Sequence, residues 1–96
     1  MSLEIFHTEI AERNLSKIED YILENFGLLA LNTFREEVLE LLYTLSFYPK
    51  LGKVVSINSA IRGIVLSKQT TVLYTLRDEK LIVLNYISNS ASKVIL

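Results

Sequence analysis

The segment from Ile61 to Ile87 constrains the fold most. It holds three apolar runs of strand length, Ile61 to Leu66, Thr71 to Leu76 and Leu81 to Ile87, separated by polar breaks too short to contain a helix. Strands joined so tightly pair as antiparallel neighbours, because a parallel crossover needs a dozen residues or more. Arg77-Asp78-Glu79-Lys80 has the length and polarity of a hairpin loop, and Ser67-Lys68-Gln69 makes the preceding break. Upstream, Lys53-Val54-Val55-Ser56-Ile57 reads as a short strand or an extended connection that ends in a turn at Asn58-Ser59.

Two helical stripes precede these strands. Ala11, Leu15, Ile18, Ile22 and Phe26 recur at steps of four, three, four and four, and Leu31, Phe34, Val38, Leu41 and Leu45 at steps of three, four, three and four. Leu3 to His7 is a short, half-alternating segment that predicts a first strand, with Thr8 as the N-cap of the first helix. Gly27 stops that helix, and almost no linker follows, so the two helices fold back as a hairpin with both stripes toward one core. Pro49 ends the second helix and Gly52 lets the chain turn. The expected fold is therefore α+β: one domain over residues 1–96, with an N-terminal strand, an antiparallel helix hairpin, and a three- to four-stranded antiparallel sheet.

Alternation in the last strand predicts Ile82, Leu84 and Tyr86 on one face and Leu81, Val83 and Ile87 on the other, so both faces are apolar. The helix hairpin can cover only one of them. The second must be covered by the tail Ser88 to Leu96, by another copy, or by a different protein. A mean hydropathy of +0.32 with 22% charged residues agrees with an apolar surface meant for a partner.

Charge is divided between the halves. Eight acids oppose three bases from Thr8 to Leu45, net −5, whereas seven bases oppose two acids from Pro49 onward, net +5. A negatively charged partner would be drawn to the sheet half, unless both sets are simply solvated faces. No apolar run reaches the roughly 20 residues needed to cross a bilayer, and the N-terminus lacks a basic region followed by an apolar stretch; the expectation is a cytosolic protein with no membrane role. The absence of cysteine rules out disulfides, thiolate nucleophiles and cysteine-based zinc sites. His7 has no companion at ligand spacing, so neither a metal nor another cofactor is expected. There is no Gly-rich phosphate loop and no Ser-His-Asp set, and the helical carboxylates fall at solubility spacings such as Glu9 to Arg13.

Taken in order, the first strand, the helix with Ala11, Leu15, Ile18, Tyr21 and Ile22 ending in Phe26-Gly27, the second helix with Ala30, Phe34 and Leu41, and then Pro49, Gly52, Ile61-Arg62, Tyr74 and Asp78 before an apolar last strand resemble the RelE/ParE toxin superfamily of bacterial toxin–antitoxin pairs. The resemblance covers nearly the whole chain. It implies a compact toxin neutralised by a cognate antitoxin that wraps it, as a homodimer or as a toxin–antitoxin heterotetramer. RelE-like members cleave messenger RNA in the ribosome with basic residues on the sheet and near the C-terminus, whereas ParE-like members poison DNA gyrase.

Aligned on Asp78-Glu79-Lys80, the RelE-like basic pair falls on Arg62 and Ile64, the central-strand arginine on Thr71 and the later arginine on Ala91, while the C-terminal tyrosine would lie beyond Leu96. Metal-free phosphodiester cleavage needs a proton acceptor, a proton donor and a stabilising cation. Arg62, Lys68 and Tyr74 are what remains as catalytic candidates, although a mid-strand Tyr74 is also a packing residue. A sequence pI near 5.8 is also low for a ribosome-directed nuclease. The ParE-like branch is the favoured expectation, acting by protein–protein contact on an essential target such as gyrase. The alternatives are a ribosome-dependent mRNA endonuclease and a non-toxic binding module. Partner contacts are expected at Arg62, Lys68, Leu81, Val83, Tyr86 and Lys93.

Overall fold

The computed structural model describes residues 2–67 and 70–88. Strand β1 (Glu4–His7) leads into helices α1 (Glu9–Phe26) and α2 (Leu28–Phe47), and four strands follow: β2 (Lys53–Ser56), β3 (Ile61–Ser67), β4 (Thr70–Arg77) and β5 (Lys80–Ser88). The sheet runs β1-β5-β4-β3-β2. Its four later strands form the expected antiparallel run, and β1 joins it as a fifth strand parallel to β5, with Ile5 opposite Leu81 and His7 opposite Val83. Strand length hides this pairing from the sequence, because four residues carry no mark of the edge they will join.

Thr8, between β1 and α1, ties both to β5. Its hydroxyl accepts a hydrogen bond from the Ala11 N–H at 3.0 Å, capping α1, and donates to the Leu84 carbonyl at 2.9 Å, while its own N–H donates to the Val83 carbonyl at 3.0 Å. Glu9 and Glu12 in the first turn suit the positive end of the helix dipole. At the far end Gly27 adopts φ 91° and ψ 178°, a region open essentially to glycine alone, and so serves both as the C-cap of α1 and as the N-cap of α2. That one backbone conformation makes the hairpin as short as the sequence implies.

Ala11, Phe34, Val38, Leu42 and Leu45 of the helices close on Val72, Tyr74, Leu81, Val83 and Tyr86 of the sheet, with Leu15, Ile18, Ile22 and Ile64 around them. The second-helix stripe is as read, except that Leu42 is buried and Leu41 flanks it. Removing a side chain such as Leu45 or Leu81 from this core would cost about 2–5 kcal/mol.

The β4–β5 hairpin turns in two residues. Arg77 pairs with Lys80, and Asp78 and Glu79 both have positive φ, 53° and 62°. These are the signs of a type I′ turn, whose backbone twist matches that of the flanking strands. Further along the pair, Tyr74 lies opposite Val83 and Leu73 opposite Asn85, so Leu84 is an extra residue in a β-bulge. The bulge corrects the simple alternation expected for β5: past it the facing reverses, and Tyr86 joins Leu81 and Val83 in the core instead of Ile82 and Leu84.

Candidate functional site

Arg62 and Tyr74 are paired across β3 and β4 and so share a face. Both reach the turn that follows α2. The Tyr74 hydroxyl donates to the Pro49 carbonyl at 2.7 Å and accepts from the Gly52 N–H at 2.9 Å. Nη1 of Arg62 donates to the carbonyls of Gly52 at 2.7 Å and Lys50 at 3.2 Å. Gly52 is required here, because a Cβ on it would lie 2.6 Å from the Tyr74 hydroxyl oxygen. Burial pushes the Tyr74 hydroxyl above its ordinary pKa, against the smaller opposing effects of the Gly52 N–H and the Arg62 charge. Two of the three catalytic candidates therefore meet, but they meet to brace a loop, with the tyrosine proton already committed to a carbonyl.

Lys68 and Lys93 lie outside the described residues, as does the proposed fold-back of the tail. Leu81, Val83 and Tyr86, expected at a partner surface, are instead buried against the helices. The residues turned the other way form the open face. Ile82 lies between Phe6 and Thr75 in register, Leu73 lies beside Gly63, and Thr71 lies between Val65 and Ile87. Of these, Phe6 and Val65 are exposed and Leu73, Ile82 and Ile87 are half-buried. Lys53 sits opposite Gly63 at one edge, and the Lys80 ammonium lies 5.3 Å from the Phe6 ring centroid near the other. The second face is thus apolar, with Lys53 at one margin and Lys80 opposite Glu4 at the other.

Two features escaped the sequence reading. His7, half-buried, forms a polar pair with the buried Tyr86: its Nε2 lies 2.8 Å from the tyrosine hydroxyl, and the rings stack with centroids 5.8 Å apart. Burial lowers the His7 pKa, partly offset by Glu12, and raises that of Tyr86, with the Glu19 carboxylate adding to the rise. Asn14 of α1 likewise donates to the Asn85 side chain at 2.6 Å, which in turn accepts the Tyr86 N–H. Nothing in the sequence places residue 7 beside residue 86. The second feature is an outward stripe on α2, Leu39, Tyr43 and Phe47 at i, i+4 and i+8, all exposed. That spacing was legible, but the stronger core stripe on the same helix masked it.

Among the described residues no three His, Asp or Glu side chains gather as a metal ion would require, and no helix is long and apolar enough to cross a membrane. No protein-family profile matches the sequence, and no curated protein matches it either. Solved structures do match. A chain of the chromosomal ParDE toxin–antitoxin system from P. aeruginosa superposes with a TM-score of 0.75 at 13% identity, covering 91% of this chain and 96% of that one. The fold is that of the RelE/ParE toxins. The toxin–antitoxin complex RelBE2 from Mycobacterium tuberculosis gives a TM-score of 0.65 at 20% identity, over 92% and 99% of the two chains. The DinJ-YafQ toxin–antitoxin complex of E. coli gives 0.57 at 12%, over 95% and 97%.

Proposed function

We propose that this chain is the toxin of a type II toxin–antitoxin system, held inactive by a cognate antitoxin, and that it acts in the cytoplasm by ParE-like contact with an essential protein such as DNA gyrase. The observation that carries the proposal is the superposition of nearly the whole chain on toxins of three such systems. The choice of the contact mode rests on the chemistry of the positions that a nuclease would use. Ile64 and Thr71 carry no charge, the Tyr74 proton is bound to Pro49, and Arg62 Nη1 is engaged by two backbone carbonyls. A metal-free cleavage site assembled from these groups lacks a free proton donor and the cluster of cations that would stabilise a developing phosphorane.

The open sheet face, with Phe6, Leu73, Ile82 and Ile87 between Lys53 and Lys80, has the character of an antitoxin seat: apolar in the middle and basic at the margin, for a segment that is acidic at its edges. Induced expression in bacteria tests the reading. Filamentous growth with gyrase-linked DNA breaks is the expected outcome; codon-spaced cuts in messenger RNA would assign a RelE-like nuclease instead, and unimpaired growth a binding module without toxicity. Phe6→Glu on that open face, with its fold checked by thermal melting, should weaken antitoxin binding. Full retention of binding would remove the face from the antitoxin seat.

A further inference from the structure

We infer that the outward face of α2 is a self-association surface on which two copies of this chain pack antiparallel about Tyr43. Leu39, Tyr43 and Phe47 fall within roughly 80° of arc at 100° per residue, on the side of α2 turned away from the core stripe. Leu39 and Tyr43 are each 68% exposed and Phe47 44%, and the Tyr43 and Phe47 rings meet edge to face with centroids 5.1 Å apart. The stripe is too regular and too large to be scattered surface residues.

The occupant is indicated by the symmetry of the stripe. A two-fold axis at Tyr43 sets Tyr43 on its own copy and Leu39 on Phe47, so each apolar residue of the stripe meets an apolar one. The receiving end is shaped for this: Phe47, Tyr48, Pro49, Lys50 and Leu51 line a shallow hollow of about 480 Å³, and the partner's Leu39 is the residue that faces it. The turn carrying Lys50 is held by the Leu51 N–H to the Tyr48 carbonyl at 3.1 Å and by the Tyr74 and Arg62 bonds, so the hollow is formed in advance. The rings of Tyr43, Phe47 and Tyr48, worth about 150–250 Å² apiece when buried, would withdraw roughly 270–450 Å² per protomer from water at their present exposures. With Leu39 and Leu51 added, two protomers reach the neighbourhood of 1,000 Å², the lower bound for a specific interface.

Sedimentation equilibrium of the full chain from about 1 μM to about 1 mM tests this. The expected result is a concentration-dependent rise from 11.0 kDa to twice that mass. Tyr43→Glu, which sets two carboxylates face to face on the axis at a solvent-exposed position, should remain at the single-chain mass with an unchanged circular dichroism spectrum. Leu39→Ala, which removes the side chain that faces the hollow in both copies, should weaken association at least about fivefold. A wild-type chain that stays at 11.0 kDa throughout, a Tyr43→Glu chain that still pairs, or a Leu39→Ala chain that pairs as tightly as wild type would each overturn the inference.

Discussion

Tyr74→Phe separates a brace from an acid. The substitution keeps the buried ring and removes one oxygen, and with it the bonds to the Pro49 carbonyl and from the Gly52 N–H. Leaving a buried donor without its partner costs about 1–3 kcal/mol, and the ring's own burial is retained, so the expected loss is about 2 kcal/mol. For a chain of this length that is a fall in Tm of roughly 8–16 °C. Gly52→Ala attacks the same contact from the other side. Its Cβ would stand 2.6 Å from the Tyr74 oxygen, 2.9 Å from Cε1 and 3.0 Å from the Gly63 carbonyl, an overpacking worth about 1–3 kcal/mol. The two changes must be coupled, because the phenylalanine variant lacks the atom that the new methyl strikes. The double variant should therefore lose at least about 0.5 kcal/mol less than the sum of the singles. Urea unfolding followed by far-UV circular dichroism measures all three. A Tyr74→Phe chain within about 0.5 kcal/mol of wild type, or strictly additive losses, would refute the brace. Below its melting transition, Tyr74→Phe should still arrest growth, which a catalytic proton donor would not permit.

The His7–Tyr86 pair makes stability depend on pH. Because the folded state lowers the His7 pKa below its unfolded value near 6.5, the unfolded chain binds more protons, so stability is full above that value and falls as the pH drops through and below it. Urea midpoints at pH 7.5 and pH 5.5 should differ more for wild type than for His7→Asn; equal differences would mean that other groups carry the dependence. In the type I′ turn, Glu79 holds a left-handed conformation that glycine adopts freely, so Glu79→Gly should stabilise the chain by about 0.5–1 kcal/mol, read as a higher Tm. A lower Tm would show that the turn owes more to the glutamate side chain than to its backbone.

The elements were legible because each carries a local signal: the 3.6-residue stripes of α1 and α2, Thr8 and Gly27 at their ends, Pro49 after α2, and apolar runs cut by Asp78-Glu79. The order of elements then fixed the class, since a helix pair followed by closely spaced strands admits few packings. The residue-level assignments failed where the cause was not local. A single extra residue at Leu84 reversed the facing of Tyr86, and no feature of the β5 sequence announces where a bulge will fall. The same holds for Tyr74 and Arg62, whose side chains could serve a substrate or a loop equally well until the chain brings the carbonyls of residues 49–52 to them. Periodicity and turn chemistry are written along the chain and determined the helix hairpin, the antiparallel run and the oily second face. Register, the parallel seat of β1 and the partners of His7, Arg62 and Tyr74 are contacts between distant residues, decided when the sheet and the hairpin closed on one another.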